Sequence, residues 1–511
     1  MHWLRLPEPR RDIAPAFTDP ASAQTWLTTL ESMSPLAAGA ALLEQIQAVD
    51  GAPLPAPDTV AQLDILRSAA VPLQASLRER FLRKALPMLA SEERAFDVTY
   101  QLWTRLGIAY LRAAPQCTPP NRCLPLQRAA TAFRIAQYCH YLAARTCPAL
   151  VDHLLLAVLA AAEANGVLRK PIGDPDFPQH GKGSISGQLA WAFLLRRIDP
   201  YHLSAIGLQV INRVFSRWRE LVNFQENPPD GPAIYTLDLA KLFGSGLPPG
   251  IPLYLNLRPV VLKLAQRIKL LEDGESPETL KLGRALSATA ATRLLRDVEH
   301  HLYPQKPGTS SETSNIELIF GGENAFAVLT NRILNSASGH GDMGNLVNRE
   351  KMAIFGLEQA SQLPSNRKRL KVSGEAWTIS NELANRAAKS SDTRLTAPCL
   401  IAALVGGRPR LGVLSSLQCH PDGALSAQLR WYAEGVITGT LKRLAPRGEK
   451  LVRLPAFLLR SASDYALIVP AEAGTRLGVA VELADLPVGE LMPVEVVERG
   501  HDFVHYNCTV K

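Results

Sequence analysis

The texture of this 511-residue chain changes near residue 310, and that change constrains the fold more than any single motif does. Up to about residue 305, apolar residues recur every three to four positions, the period of amphipathic helices. From about residue 371 they alternate singly, the period of half-buried strands. A chain that changes period once and does not return predicts segregated α and β parts, not an alternating βαβ sheet. The expected fold class is α+β and multidomain, in four stretches. An α-helical region, solenoid or bundle-like, covers 1–305. A linker with a short strand and helix covers 306–364. An antiparallel β-barrel covers 365–445, and a second small β-unit or barrel extension covers 446–511.

The helical reading rests on specific stripes. Leu126, Ala129, Ala130, Phe133 and Ala136 form one, with His140 continuing it as a packed residue. Ile135, Tyr138, Cys139 and Leu142 form a second. A helix apolar on two sides is sandwiched between neighbours. Ile211, Phe215, Trp218 and Val222 repeat the spacing, as do Val261, Leu264, Ile268 and Leu271, then Leu286, Ala290, Leu294 and Val298. Ser91 reads as an N-cap. No fixed 34-residue period recurs, so a regular helical repeat is not expected. Further on, Ile316 to Phe320 reads as a strand, Ala325 to Ile333 as a short helix and 335–350 as a loop. Leu425, Ala427, Leu429 and Trp431 alternate with polar residues, as do Leu477 to Leu483 and Val504 to Val510. Pro421-Asp422-Gly423 reads as a hairpin turn.

Composition narrows the function classes. Hydrophobic residues make up 47% and charged residues 20%, with net charge +8, values of a globular protein with a mildly basic surface. No apolar run approaches the roughly 18–20 residues of a membrane span. The start of the chain carries no apolar signal region, so a cytoplasmic protein is expected. Seven cysteines do not suggest a disulfide framework. Cys117, Cys123, Cys139 and Cys147 are close in sequence, but the spacer between the first two exceeds that of zinc knuckles, and reduced, packed thiols are expected. Gly339 to Gly344 matches G-x-G-x-x-G formally, without the strand and helix that a dinucleotide fold needs. Glu299-His300-His301 suits a helix C-terminus. With no nucleophile elbow and no H-E-x-x-H, the expectation is binding and relay, with no enzyme activity, metal or resident cofactor.

The basic cluster Arg367-Lys368-Arg369-Leu370-Lys371 directly precedes the β region. Arginines on such a lead can stack on a purine and fork onto phosphate. Trp377-Thr378-Ile379 and Asn381 to Arg386 follow. Arg410 to Leu414 and Ala427 to Trp431 supply later strands. Together these residues resemble the PilZ family, small β-barrels that act as cyclic di-GMP receptors, on a long helical N-terminal region as in uncharacterised proteobacterial proteins. The family pattern is an R-x-x-x-R lead followed by [D/N]-x-S-x-x-G. Here the lead offers Arg367 and Lys371, with Arg369 between them. Asn381 takes the acidic or amide position, Leu383 stands in place of the serine and Arg386 in place of the glycine. The resemblance implies a ligand site of Arg367, Arg369, Lys371, Asn381 and Arg386, with cyclic di-GMP as ligand and a protein partner on the helical region. Two alternatives stay open: an interaction scaffold that binds no nucleotide, and RNA or DNA binding through Lys442, Arg443, Arg447, Lys450 and Arg453. Nucleic acid is the less expected partner.

Overall fold

The computed structural model describes residues 4–510 except 83–84, 245, 304–312, 333, 335–373, 392, 434, 445–450 and 461–464. They divide into two units. The helical unit takes in 1–310 together with 392–396 and 416–426, and the β unit holds the remaining residues to the C-terminus.

Eleven helices are described in the helical unit. α1 (Pro20–Thr28), α2 (Pro35–Gly51), α3 (Ala56–Phe81), α4 (Ala90–Ala113), α5 (Cys123–Leu142) and α6 (Ala149–Ala164) come first. α7 (Ile185–Arg197) and α8 (Ala205–Trp218) follow. Short strands β1 (Asn223–Gln225), β2 (Thr236–Asp238) and β3 (Tyr254–Asn256) form a small sheet with β3 central, and α9 (Leu239–Phe243) links β2 to β3. α10 (Arg258–Glu272) and α11 (Ala288–Leu302) pair at the end. Caps set several starts. Asp19 accepts from Ala21 and Ser22, and Ser34, Ser184, Ser204 and Ser287 each accept a first-turn N–H. Ser91 is not a cap: α4 starts one residue earlier, and the Glu92 carboxylate accepts the Leu89 N–H at 2.7 Å.

α5 is the centre of this unit. α3, α4, α6 and α7 all pack on it, and nearly every residue along it is buried, as its two apolar stripes require. Gly107 lets α4 lie close. A Cβ there would sit 2.4 Å from the Phe133 ring. Gly107→Ala gains about 1 kcal/mol of helix propensity but overpacks a full core at about 1–3 kcal/mol. A net loss of up to about 2 kcal/mol is therefore expected from urea unfolding read at 222 nm.

An ionic network crosses the same core. Arg67 is fully buried; its Nη2 lies 2.5 Å from Asp174 Oδ2, and its Nη1 donates to Asp174 and Asp176. Arg128 reaches Asp174 at 3.0 Å and Asp64 at 3.3 Å, and Tyr110 donates its hydroxyl to Asp64 at 2.6 Å. His140 packs edge-on to Phe96 and Tyr100, a core position, and burial pushes its pKa down to about 3.

The β unit holds two closed antiparallel barrels of six strands. The first comprises β4 (Ser314–Phe320), β5 (Glu375–Ser380), β6 (Leu383–Arg386), β7 (Cys399–Val405), β8 (Arg408–Cys419) and β9 (Leu425–Trp431), in the order β4-β5-β6-β9-β8-β7. α12 (Gly322–Thr330) follows β4. Gly406 and Gly407 form the two-residue β7–β8 turn, both at positive φ, which that hairpin type demands. The second barrel comprises β10 (Ile437–Leu444), β11 (Leu451–Arg460), β12 (Tyr465–Pro470), β13 (Val481–Ala484), β14 (Glu490–Arg499) and β15 (Phe503–Val510), in the order β10-β11-β12-β15-β14-β13.

The strand content of 365–445 therefore divides differently from the sequence reading. β4, in the stretch read as linker, pairs with β5 and β7 and closes the first barrel. β10 pairs with β11 and β13 and belongs to the second. Leu441, Leu454, Leu467 and Leu491 fill the second barrel. Phe457, Ile468 and Phe503, on the opposite faces of their strands, pack with Leu400 and Val413 of the first barrel and Phe326 of α12.

Candidate functional site

β5 and β6 carry the described part of the expected ligand site. Their register pairs Ser380 with Leu383, which leaves Asn381-Glu382 as the turn. Asn381 sits at φ 58°, in the left-handed region that asparagine tolerates better than most residues. It is exposed, and so are Glu382 and Leu383. The Glu382 carbonyl accepts the Leu429 N–H at 2.6 Å, fixing the turn to β9.

Arg386 lies at the end of β6 away from the turn that carries Asn381. It is buried. Its Nη1 donates to Glu375 Oε2 at 2.9 Å, and its guanidinium carbon stands 5.8 Å from the Trp377 ring. The other Glu375 oxygen accepts the Ser391 hydroxyl at 2.7 Å. Trp377 is 1% exposed, and its Nε1 meets no partner among the described residues. Arg386 thus neutralises a carboxylate held inside the barrel wall. The Arg386 side chain turns inward onto that acid. Arg367, Arg369 and Lys371 lie outside the described residues.

Read three positions earlier, the pattern [D/N]-x-S-x-x-G meets a serine at Ser380, the last residue of β5 before the turn, but Thr378 stands where it asks for Asp or Asn and Leu383 where it asks for Gly. Thr378 donates its hydroxyl to Asn315 Oδ1 on β4 at 3.0 Å.

Two surface depressions of the helical unit bear on partners. One of about 390 Å³ gathers Arg217, Lys263, Arg267 and Lys281 around Trp218, with Lys263 Nζ 5.8 Å from the indole. Four cations beside an aromatic plane suit an anionic partner. The other, about 480 Å³, is lined by Gln225 to Asp230, Asn256 and Arg258 and contains neither His nor Cys.

The cysteines are free and buried, and burial pushes the Cys139 and Cys508 thiols up to about 12. Cys117, Cys123, Cys139 and Cys147 are not gathered into a ligand set. Among the described residues, the group of three or more His, Cys, Asp or Glu with ligand atoms within 4.8 Å of one another is His202, Asp297 and His301, where the two imidazole rings stack face to face.

Residues 21–230, about two fifths of the chain, match the family model described as cyclic-di-GMP receptor FimW, N-terminal domain. The match covers α1 to α8 and the start of the small sheet. The two C-terminal barrels are consistent with a PilZ-like module. No curated protein and no solved structure matches.

Proposed function

We propose that this protein is a regulatory receptor that binds cyclic di-GMP at its first barrel and relays binding through its helical unit. The observation that carries the reading is the match of 21–230 to a cyclic-di-GMP receptor domain family, on a chain whose C-terminal part is barrel and whose barrel hairpin follows a basic lead. In this reading Arg367 and Arg369 stack on guanine or clamp phosphate, and Lys371 adds a point charge. Asn381, exposed on the turn, supplies an amide to a base or phosphate. Arg386 acts from below, holding Glu375 and the Trp377 plane in position.

The output surface is assigned to the helical unit, with the basic depression around Trp218 as the docking point for an acidic segment of a protein partner. The chemistry is recognition, not catalysis, and the working location is the cytoplasm.

Calorimetric titration of the full chain with cyclic di-GMP tests this reading, with GTP and the linear dinucleotide as competitors. Binding at micromolar affinity or tighter is expected, selective for the cyclic form and weakened at least tenfold in Arg367→Ala/Arg369→Ala; tenfold is about 1.4 kcal/mol. No heat and no thermal shift at high ligand would leave an interaction scaffold. Binding of RNA or DNA that falls steeply with salt and ignores nucleotide identity would favour the nucleic-acid alternative. For that reading Lys442, which pairs with Glu482 at 2.9 Å, is less available than its sequence position suggests.

A further inference from the structure

The basic depression around Trp218 has an apolar floor as well as a cationic rim. Val214, Trp218, Leu280 and Leu282 form the floor, and all of them are buried. Arg217 from α8, Lys263 and Arg267 from α10, and Lys281 from the segment between α10 and α11 form the rim. Lys263 and Arg267 are one helical turn apart, so they project from the same face of α10. No carboxylate lines the depression, and among the described residues none of these four cations is ion-paired. Two acids nearby in sequence are held by other arginines, Glu272 by Arg296 and Glu278 by Arg284, each at 2.5 Å. An anionic group therefore meets no acid on the rim and displaces none from it.

A second observation comes from the backbone. Lys281 sits at φ 62°, in the left-handed region that glycine and asparagine adopt far more readily than lysine. Its neighbours hold it there. The Lys281 N–H donates to the Glu278 carbonyl at 2.8 Å, and the Leu282 N–H donates to the Pro277 carbonyl at 2.8 Å. Arg217 Nη1 donates to the Lys281 carbonyl. The turn itself would be easier to form with glycine. What lysine adds is an exposed ammonium fixed on the rim between two residues of the floor.

We propose that this depression recognises an acidic peptide segment through one apolar anchor residue. The anchor enters the floor beside Trp218, and carboxylates before and after it meet the four rim cations. This deepens the docking assignment made above and rests on it, but not on nucleotide binding. At about 390 Å³ the depression is near the lower end of ligand pockets, room for one side chain and its neighbours and not for a folded surface. A free phosphate would leave the floor uncovered. An uncharged peptide would leave the rim unmet. A buried anchor ringed by polar contacts is also how binding energy is distributed in protein interfaces.

The test is calorimetry on the full chain with an unlabelled, end-capped peptide that has one phenylalanine between two pairs of glutamates, titrated to millimolar concentration. One saturable equivalent is expected. Replacing the phenylalanine by alanine, or the glutamates by glutamines, should weaken binding about tenfold or more. Arg267→Gln and Lys281→Asn should each weaken it about threefold to tenfold. Lys281→Asn should do so without lowering the thermal midpoint, because asparagine tolerates the left-handed backbone. Lys182→Gln removes an exposed cation outside the depression and should leave binding unchanged. No saturable binding by the wild type overturns the proposal. So does equal affinity for the alanine peptide, or for Lys281→Asn, or an equal loss in Lys182→Gln. Displacement by equimolar pyrophosphate would assign the rim to phosphate groups and overturn it too. Cyclic di-GMP is titrated into the same preparation. Nucleotide binding without peptide binding removes the docking proposal alone, and peptide binding without nucleotide binding removes the nucleotide reading alone.

Discussion

Arg67→Met is expected to cost the helical unit about 3–5 kcal/mol, the loss seen when one partner of a buried ion pair is removed. The guanidinium is fully enclosed between Asp174, 6% exposed, and Asp176, 12% exposed. Methionine fills much of the volume but offers no donor, so Asp176 loses this guanidinium. Asp174 retains Arg128 at 3.0 Å, which is why the loss is smaller than removal of the whole network would give. The double variant Arg67→Met/Asp176→Asn also neutralises the carboxylate that loses the guanidinium and should recover part of the loss, a coupling that distinguishes ionic burial from packing. Urea unfolding followed at 222 nm reads the helices. A loss below about 1 kcal/mol would place Arg67 among hydrated surface pairs, and no recovery in the double variant would assign the effect to shape alone. The network lies within 21–230, the matched segment. It therefore stabilises the part of the chain that carries the family resemblance.

Nothing in the sequence announces that network. Arg67 and Asp174 are separated by more than a hundred residues, and each looks like an ordinary surface charge until both are seen inside. Helical stripes were more legible because they are local. Val261, Leu264, Ile268 and Leu271 all face inward along α10, as their spacing requires. α11 shows the limit. A strict fourth-residue stripe, Leu286, Ala290, Leu294 and Val298, drifts around a helix of 3.6 residues per turn. The buried face is Ala291, Leu295, Val298 and Leu302, spaced four, three and four.

Strand alternation behaved in the same way. Leu425, Ala427 and Leu429 are buried with half-buried neighbours between them, because one face of β9 lies on the barrel interior. β15 breaks the rule: Phe503, Val504, His505 and Tyr506 are all buried, since Phe503 packs toward the first barrel while Val504 and Tyr506 fill the second. Pairing order was not legible at all. β4 meets β5 across a long intervening stretch, and periodicity carries no information about which strand closes a barrel. Of the five residues of the expected ligand site, the structure describes Asn381 and Arg386. Asn381 on the turn follows from turn chemistry, whereas the inward course of Arg386 depends on Glu375, eleven residues earlier on the neighbouring strand. His202 and His301, one on a turn and one on a distant helix, share no local pattern that could pair them.

The β unit should lose stability as pH rises from about 4 to 7, and Asp502 is the group responsible. It lies in the β14–β15 loop, where its Oδ1 accepts the Leu400 N–H from β7 at 3.0 Å. Burial raises its pKa to about 6, and the nearby Glu472 carboxylate adds to the rise; the bonds from backbone N–H groups offset this only in part. The folded state therefore holds this proton more tightly than the unfolded chain, whose carboxyl titrates near 3.8. The stabilisation is complete below about pH 4 and is lost as pH passes through about 6. Two pKa units correspond to up to about 3 kcal/mol. Asp502→Asn keeps the acceptor for Leu400 and removes the charge, so at pH 7 it should be more stable than wild type by up to that amount, with no gain at pH 4. Denaturant unfolding of both proteins across this range gives a difference curve in which other titrating groups cancel. A difference that stays flat with pH would mean that the Asp502 carboxylate finds compensation in the fold. A rising difference would identify a charge held at a cost where Asp502 joins β7 of the first barrel to the β14–β15 loop of the second. Any ligand or partner that supplies a cation there would then bind the neutral-pH form more tightly.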